Sequence, residues 1–326
     1  MSKVALITGV GGQDGSYLAE YLLGLGYVVH GTIRPSSVPN DWRIAHLRDR
    51  LVLHPFDISS DPTKLVAQVN PDEIYHLAAE AHVPTSFELP VHVGNVTGLG
   101  TVRFLEAVRH VNPRIRFYQA STSELYGNQP PPQSETTPMI PTSPYGVAKL
   151  YAFHMTRMYR EAYGMFASNG ILFNHESPRR SERFLSRKAA KAVAEIKAGV
   201  RDTVAFGDLS AQRDWGWAPD YVEVMHRILQ HERPDDFVVG TGESHSAHAF
   251  VHASFRVAGL DPDMHIEFDE RLVRPIDNRV LRADITKAQR ELGWEPRTGL
   301  LAVADRMVAA EVAAFRPRAV AGLAGG

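Results

Sequence analysis

The stretch "VALITGVGGQDGSYLAEYL" (residues 4–22) decides the fold. Val4–Thr8 is apolar or β-branched throughout and reads as a strand buried on both faces. Gly9, Gly12 and Gly15 follow at once in G-x-x-G-x-x-G spacing, and Tyr17–Leu25 continues with helical periodicity. Glycines at such a turn let the chain bend tightly and let backbone N–H groups approach a pyrophosphate at a helix N-terminus. An ordinary strand-to-helix turn can carry three glycines too. The position after the first apolar strand of an alternating chain favours dinucleotide binding, with Gln13 and Asp14 inside the same turn.

Outward from that turn, similar apolar runs recur at Tyr27–Ile33, Leu51–Pro55, Glu73–Ala79, Ile115–Ala120 and Phe166–Phe173. Helical stretches such as Gly98–His110 separate them. Strands alternating with helices imply an α/β fold, a Rossmann-type doubly wound parallel sheet covered on both faces. Past about residue 175 the alternation loosens and His, Arg, Pro and Trp become frequent. The expectation is a cofactor-binding domain over residues 1–174, rejoined by a later segment around 212–240. A smaller, mostly C-terminal α/β substrate lobe takes up residues 175–326.

Composition removes several classes of function. The 326 residues include no cysteine, so disulfides and thiolate metal ligation are out, and no metal site is expected. A formal charge of −2 gives no reason to expect nucleic acid or an anionic membrane as partner. No apolar run nears the roughly 20 residues of a membrane span, and residues 3–9 read as a strand rather than a secretory signal. A cytoplasmic enzyme acting on a small molecule fits best.

The second strand ends in "HGTIRPSS" (30–37), where an NAD-binding chain usually presents a carboxylate to the ribose 2′-OH. Here Arg34 stands instead and no acid comes before Asp41, which favours NADP, because a cation can pair with a 2′-phosphate. Asp57 and Ile58, closing the third strand in "HPFDIS", are placed toward the adenine. Leu77, Ala78 and Ala79 in "HLAAEAH" leave room for the cofactor backbone.

Chemistry enters with "QASTSELYG" (119–127) and "SPYGVAKLYA" (143–152). Tyr145 and Lys149 are four apart and share a helix face. A tyrosine needs roughly a 3-unit drop from about 10 to act as a base near neutrality, about 4 kcal/mol. An ammonium at about 4 Å in an effective dielectric of about 20 supplies that much. Thr122 can hold the same substrate oxygen. Thr122 and Ser123 also fit a simple helix cap, but Glu124 is surplus to an alcohol dehydrogenase. Two residues past Thr122, it should point to the same side of the extended strand end. There a carboxylate could take the proton beside a newly formed ketone and expel a β-hydroxyl as water.

This order of motifs resembles the extended short-chain dehydrogenase/reductase superfamily and, within it, the GDP-mannose 4,6-dehydratase family. The likeness runs through "ITGVGGQDGSYLAEYLL", "FYQASTSELYG", "SPYGVAKLYA", "NGILFNHESPRR", "RDWGWAPDYVE" and "TGESHS" in the same order. It implies that Thr122, Glu124 and Tyr145 are catalytic and that Lys149 orients Tyr145 and the nicotinamide ribose. Ser123 stands where related dTDP-glucose dehydratases carry Asp, so Glu124 would both deprotonate C5 and assist loss of the C6 hydroxyl. The resemblance further implies Leu172, His175 and Arg180 at the cofactor, and Ser86, Ser123 and Asn174 at the sugar. Arg187 and Lys188 would meet the nucleotide base and phosphates, Arg213 and Arg274 the diphosphate, and Asp277 the nucleotide ribose.

The implied reaction is redox-neutral, NADP-dependent conversion of GDP-mannose to GDP-4-keto-6-deoxymannose by a homodimer or homotetramer. A sugar-nucleotide epimerase or 4-keto reductase is one alternative, and a reductase needs no Glu124; a non-catalytic NADP-binding protein is the other, and Thr122, Glu124, Tyr145 and Lys149 standing together in register argue against it. The chain departs from the family pattern at Pro35, Glu80, Ala81, Pro84, Trp217, His248, Asn278 and Arg279.

Overall fold

The computed structural model describes residues 2–37, 40–273 and 278–315; the sequence candidates Arg274 and Asp277 lie outside the described residues. Seven parallel strands form the main sheet: β1 (Val4–Thr8), β2 (Val28–Ile33), β3 (Leu51–Pro55), β4 (Glu73–His76), β5 (Arg116–Thr122), β6 (Ala167–Leu172) and β7 (Asp236–Val239). Their order across the sheet is β7-β6-β5-β4-β1-β2-β3. Strand order reverses beside β1, which opens a crevice at the carboxyl ends of β1 and β4.

Alternation along each strand assigns its residues to two cores. On one face Ala5, Ile7, Tyr75, Tyr118 and Phe237 pack with Leu18 and Leu22 of α1 (Gln13–Gly24). On the other, Leu6, Ile74 and Phe117 pack with Phe104 and Leu105 of α2 (Gly100–Val111) and with Tyr159 of α3 (Pro144–Tyr163). Sequence specifies both ends of α3. The Ser143 hydroxyl accepts from Gly146 N–H at 3.1 Å, Pro144 opens the helix, and Gly164 closes it at φ +63°.

A further apolar core joins α4 (Leu185–Lys197), α6 (Ala247–Arg256) and α7 (Leu300–Ala314) around Trp215 and Phe250. Between α4 and α6, α5 (Ala218–Gln230) lies on the first layer, where Tyr221, Val222 and Met225 share a core with α1.

The limits of β2, β5 and β6 shift by one or two residues from expectation, and the larger differences are at β4 and β7. β4 stops at His76 rather than Ala79, because the N–H groups of Leu77 and Ala78 both donate to the Thr8 hydroxyl at 3.1 Å instead of continuing the ladder. β7 was not expected as a strand. Asp236 anchors it, accepting two hydrogen bonds from Arg160 of α3 at 3.0 and 2.9 Å and one from Asn169 of β6 at 2.8 Å.

Candidate active site

The glycine-rich turn sits at the mouth of the crevice. Gly9 has φ +70°, a region open to glycine at little cost, and a Cβ there would stand 3.1 Å from the Ala78 Cα. α1 begins with Gly12 at its N-cap and no side chain capping it. Its first N–H groups, with the positive end of the helix dipole, therefore suit a pyrophosphate. His76, behind the turn, is pushed down to about 3 by burial and is neutral.

Gln13 and Asp14 tie this turn to the segment after β6. Gln13 donates to Asp14 at 3.0 Å and to the His175 carbonyl at 3.1 Å, and it accepts from the Ser177 hydroxyl at 2.8 Å. Asp14 Oδ2 lies 2.9 Å from His175 Nε2, while His175 Nδ1 lies 2.7 Å from the Phe173 carbonyl. Both ring nitrogens face acceptors, an arrangement that favours the protonated imidazole. Burial opposes both charges, but the pairing prevails: Asp14 is held at about 2 and His175 is raised above its usual value. The His175 ring also stacks on Tyr221 at 4.6 Å.

β5 delivers the chemical group, with Thr122 in register beside Leu172 of β6. The extended course expected through Glu124 is not found. Ser123–Leu125 form a 3₁₀ turn, and the Thr122 hydroxyl caps it by accepting from Glu124 N–H at 3.3 Å. Thr122 thus serves as a cap, and its hydroxyl lies close enough to the Tyr145 phenol to draw the phenol's pKa downward. The turn still brings Glu124 to the Tyr145 helix. Its carbonyl would lie 2.9 Å from a Cβ on Gly146, so only glycine beside Tyr145 permits the approach. The Glu124 carboxylate accepts from the Asn278 amide at 2.8 Å. Tyr145 also feels the charges of Arg180 and Asp14, so the glycine turn and the strand end share one electrostatic neighbourhood.

Lys149 is buried, with its ammonium donating to the Ala120 carbonyl at 2.7 Å and lying 5.9 Å from the centre of the Tyr145 ring. Burial pushes Lys149 down to about 8, partly opposed by Asp14. Burial also raises Tyr145 well above its usual value, with Glu124 adding to the rise and Thr122 and Arg180 opposing it. The drop that the sequence reading asked of Lys149 is therefore absent from the protein by itself. Desolvation outweighs the pull of Thr122 and of the Arg180 guanidinium on the phenol.

The remaining candidates are more dispersed. Arg34, exposed at the end of β2, lowers the pKa of Asp57 at the end of β3 only after two hydrogen bonds from Ser59. Ile58 packs with the α2 core. Ser86 is buried, donating to the Val83 carbonyl at 2.6 Å, and Ser123 is buried under its turn. Asn174 opens a short parallel pairing, Asn174–Glu176 with Trp215–Trp217. Lys188 donates to the Ala205 carbonyl at 2.6 Å, and Arg213 to the Gln212 and Asn278 carbonyls at 2.8 Å each.

Arg187 pairs with Glu311 and donates to the Pro178 carbonyl. With Trp42, Arg43, Arg180 and Arg183 it lines a cavity of about 500 Å³ whose charge suits phosphate. Sequence reasoning passed over Trp42 and Arg43, which sit in a loop without a motif. A larger cavity, about 760 Å³, lies by Lys3, Tyr27 and His226 at the opposite ends of the strands and holds no motif residue.

A family model described as GDP-mannose 4,6 dehydratase matches residues 6–307. The chain is 47% identical over 320 residues to GDP-mannose 4,6 dehydratase 1 of Arabidopsis thaliana, covering 94% of this chain and 89% of the relative. It is 45% identical over 344 residues to the GDP-mannose 4,6 dehydratase of Homo sapiens, covering 96% and 92%. Its fold is similar to that of a dTDP-glucose 4,6-dehydratase from Bacillus anthracis solved with NAD, at TM-score 0.83, 21% identity and coverage of 95% and 96%. On the family match and these relatives, the chain belongs to the GDP-mannose 4,6-dehydratase family.

Proposed function

We propose that this protein is a nucleotide-sugar 4,6-dehydratase acting on GDP-mannose with NADP as its resident cofactor. The observation that carries the reading is the meeting of Thr122, Tyr145 and Glu124 at one strand end, within electrostatic reach of the glycine turn. Gly9, Gly12, Gly15 and the first turn of α1 would hold the pyrophosphate, with Leu77, Ala78, Ala79 and Leu172 shaping the pocket. Arg34 at the end of β2 supports NADP over NAD, because its guanidinium can pair with a 2′-phosphate.

A bound nicotinamide supplies a hydride acceptor and donor that ends each cycle as it began, and a positive charge beside Tyr145. The chain's own residues handle the protons. Tyr145 takes the proton of the C4 hydroxyl while Thr122 holds the same oxygen. Glu124 takes the C5 proton, now acidified by the adjacent carbonyl. It passes that proton to the C6 hydroxyl, which leaves as water, and the proton that Tyr145 took from the C4 hydroxyl replaces the one lost from C5 when C6 is reduced, so both residues return to their starting forms. Lys149, anchored on Ala120, orients the Tyr145 turn of α3 and the cofactor ribose. Arg213, Arg187 and Lys188 would face the diphosphate and base. The family resemblance supports reading the chain as a homo-oligomer, dimer or tetramer.

Incubating the protein with GDP-mannose, GDP-glucose and UDP- and CDP-linked sugars, followed by mass spectrometry, tests this. GDP-mannose should lose one water with no net change in reduced-nicotinamide absorbance, and NADP should outcompete NAD for the protein. Unchanged GDP-mannose, or stoichiometric consumption of reduced cofactor, would replace this reading with a reductase or a binding protein.

A further inference from the structure

Glu124 is held from the far end of the chain. Asn278 is buried, and its carboxamide bridges two groups: Nδ2 donates to Glu124 Oε2 at 2.8 Å, and Oδ1 accepts from the Thr142 hydroxyl at 2.9 Å. The carboxylate settles which way the amide points, because an ionised acid only accepts. The backbone of Asn278 is itself pinned. Arg213 Nη1 donates to its carbonyl at 2.8 Å, and the next N–H, of Arg279, donates to Asn128 at 2.8 Å.

We propose that Asn278 is the positioning residue for Glu124, its donated N–H holding the carboxylate ionised and in one rotamer at the strand end where the sugar would sit. The inference rests on the reading of Glu124 as the C5 base. Its physical content is separate from that reading: a donated N–H favours the charged carboxylate and restricts its rotamer. Because Arg213 braces the same residue, the clamp expected at the diphosphate and the base expected at C5 share one support. The arrangement spans 154 residues of sequence, so no local motif announces it.

Three variants test the proposal. Asn278→Leu keeps the volume and removes the amide, Asn278→Asp keeps the shape and sets two carboxylates face to face, and Thr142→Val frees the amide to turn. In Asn278→Leu, KM for the nucleotide sugar and the single-turnover reduction of bound dinucleotide should stay near wild type. Water loss should fall about 10²-fold, the cost of a base displaced by about 1 Å. The acid limb of water loss should move to higher pH, furthest in Asn278→Asp, with Thr142→Val showing a smaller loss in the same direction.

Equal losses in reduction and in water loss, or no loss in either, would overturn the assignment. A titration of ¹³C-labelled glutamate, with Glu124→Gln identifying the signal, reads the contact without any turnover. The midpoint should rise in Asn278→Leu, and an unmoved midpoint refutes the positioning role even if the reaction is as proposed. Absence of water loss in the wild-type protein refutes the reaction instead, and the titration then decides the positioning role alone.

Discussion

Gly15→Ala is the most direct probe of the turn that opens the fold. A Cβ at Gly15 would stand 2.5 Å from the Gly9 carbonyl oxygen and 2.7 Å from the Val10 Cα. Both are backbone atoms of the turn, so no side chain can swing aside. To reach the 3.4 Å of ordinary contact, the turn and α1 must part by about 0.9 Å. Overpacking of this kind costs about 1–3 kcal/mol, and the helical preference of Ala over Gly returns about 0.5–1 of it. A net loss of about 1–2 kcal/mol should lower the melting temperature by a few degrees at most in a chain of this size.

Dinucleotide affinity should suffer more. Losing one charge-assisted hydrogen bond, about 1.5–3 kcal/mol, weakens binding by about 10–100-fold. Gly24→Ala is the control: it lies in the same helix and its Cβ meets nothing within 4 Å, so stability should rise slightly and binding should not change. Thermal denaturation and calorimetric titration with NADP read both quantities. If Gly15→Ala binds NADP like wild type, or Gly24→Ala weakens it equally, the cradle argument is wrong.

Two further substitutions probe the buried charges. Asp14→Asn removes the partner of His175. The raised His175 stabilises the fold below its unfolded value near 6.5 and loses that effect as pH climbs through its folded value. Asp14, held at about 2, stabilises above 3.8 and fails only toward that lower value. The variant's deficit in urea denaturation, roughly 1–2 kcal/mol, should therefore be greatest between about pH 4 and 6.5 and shrink above it. Lys149→Met should stabilise the unliganded protein at pH 7 by about 1–3 kcal/mol, since an ammonium pushed down to about 8 costs the fold energy whenever it is protonated. The gain should fade between pH 8 and 10.5 while water loss collapses; a destabilised variant at pH 7 would contradict it.

Most of the sheet was legible because its strands are nearly continuous apolar runs, a pattern that few other environments allow. Where reading failed, a side chain had taken over from the backbone pattern. Thr8 ends β4 early by capturing two N–H groups, and Arg160 with Asn169 recruits the short run Asp236–Val239 to the sheet edge. Spacing placed Tyr145 and Lys149 on one helix face, but spacing carries no information on desolvation, which reverses the expected effect on the phenol. The turn at Ser123–Leu125 was foreseeable from Thr122 as a cap, a reading set beside the chemical one, and both hold for the same hydroxyl. The Asn278–Glu124 contact had no local signal at all, although Asn278 stood out as a departure from the family pattern.

The central claim is that Tyr145 and Glu124 act in turn on neighbouring carbons of one sugar. Rapid mixing of NADP-loaded Glu124→Gln with GDP-mannose, following reduced-nicotinamide absorbance and product mass together, separates the two steps. The account predicts a burst of reduction approaching one equivalent of enzyme with no loss of water, and neither signal in Tyr145→Phe. Water loss by Glu124→Gln at the wild-type rate, or no reduction at all in that variant, would contradict it.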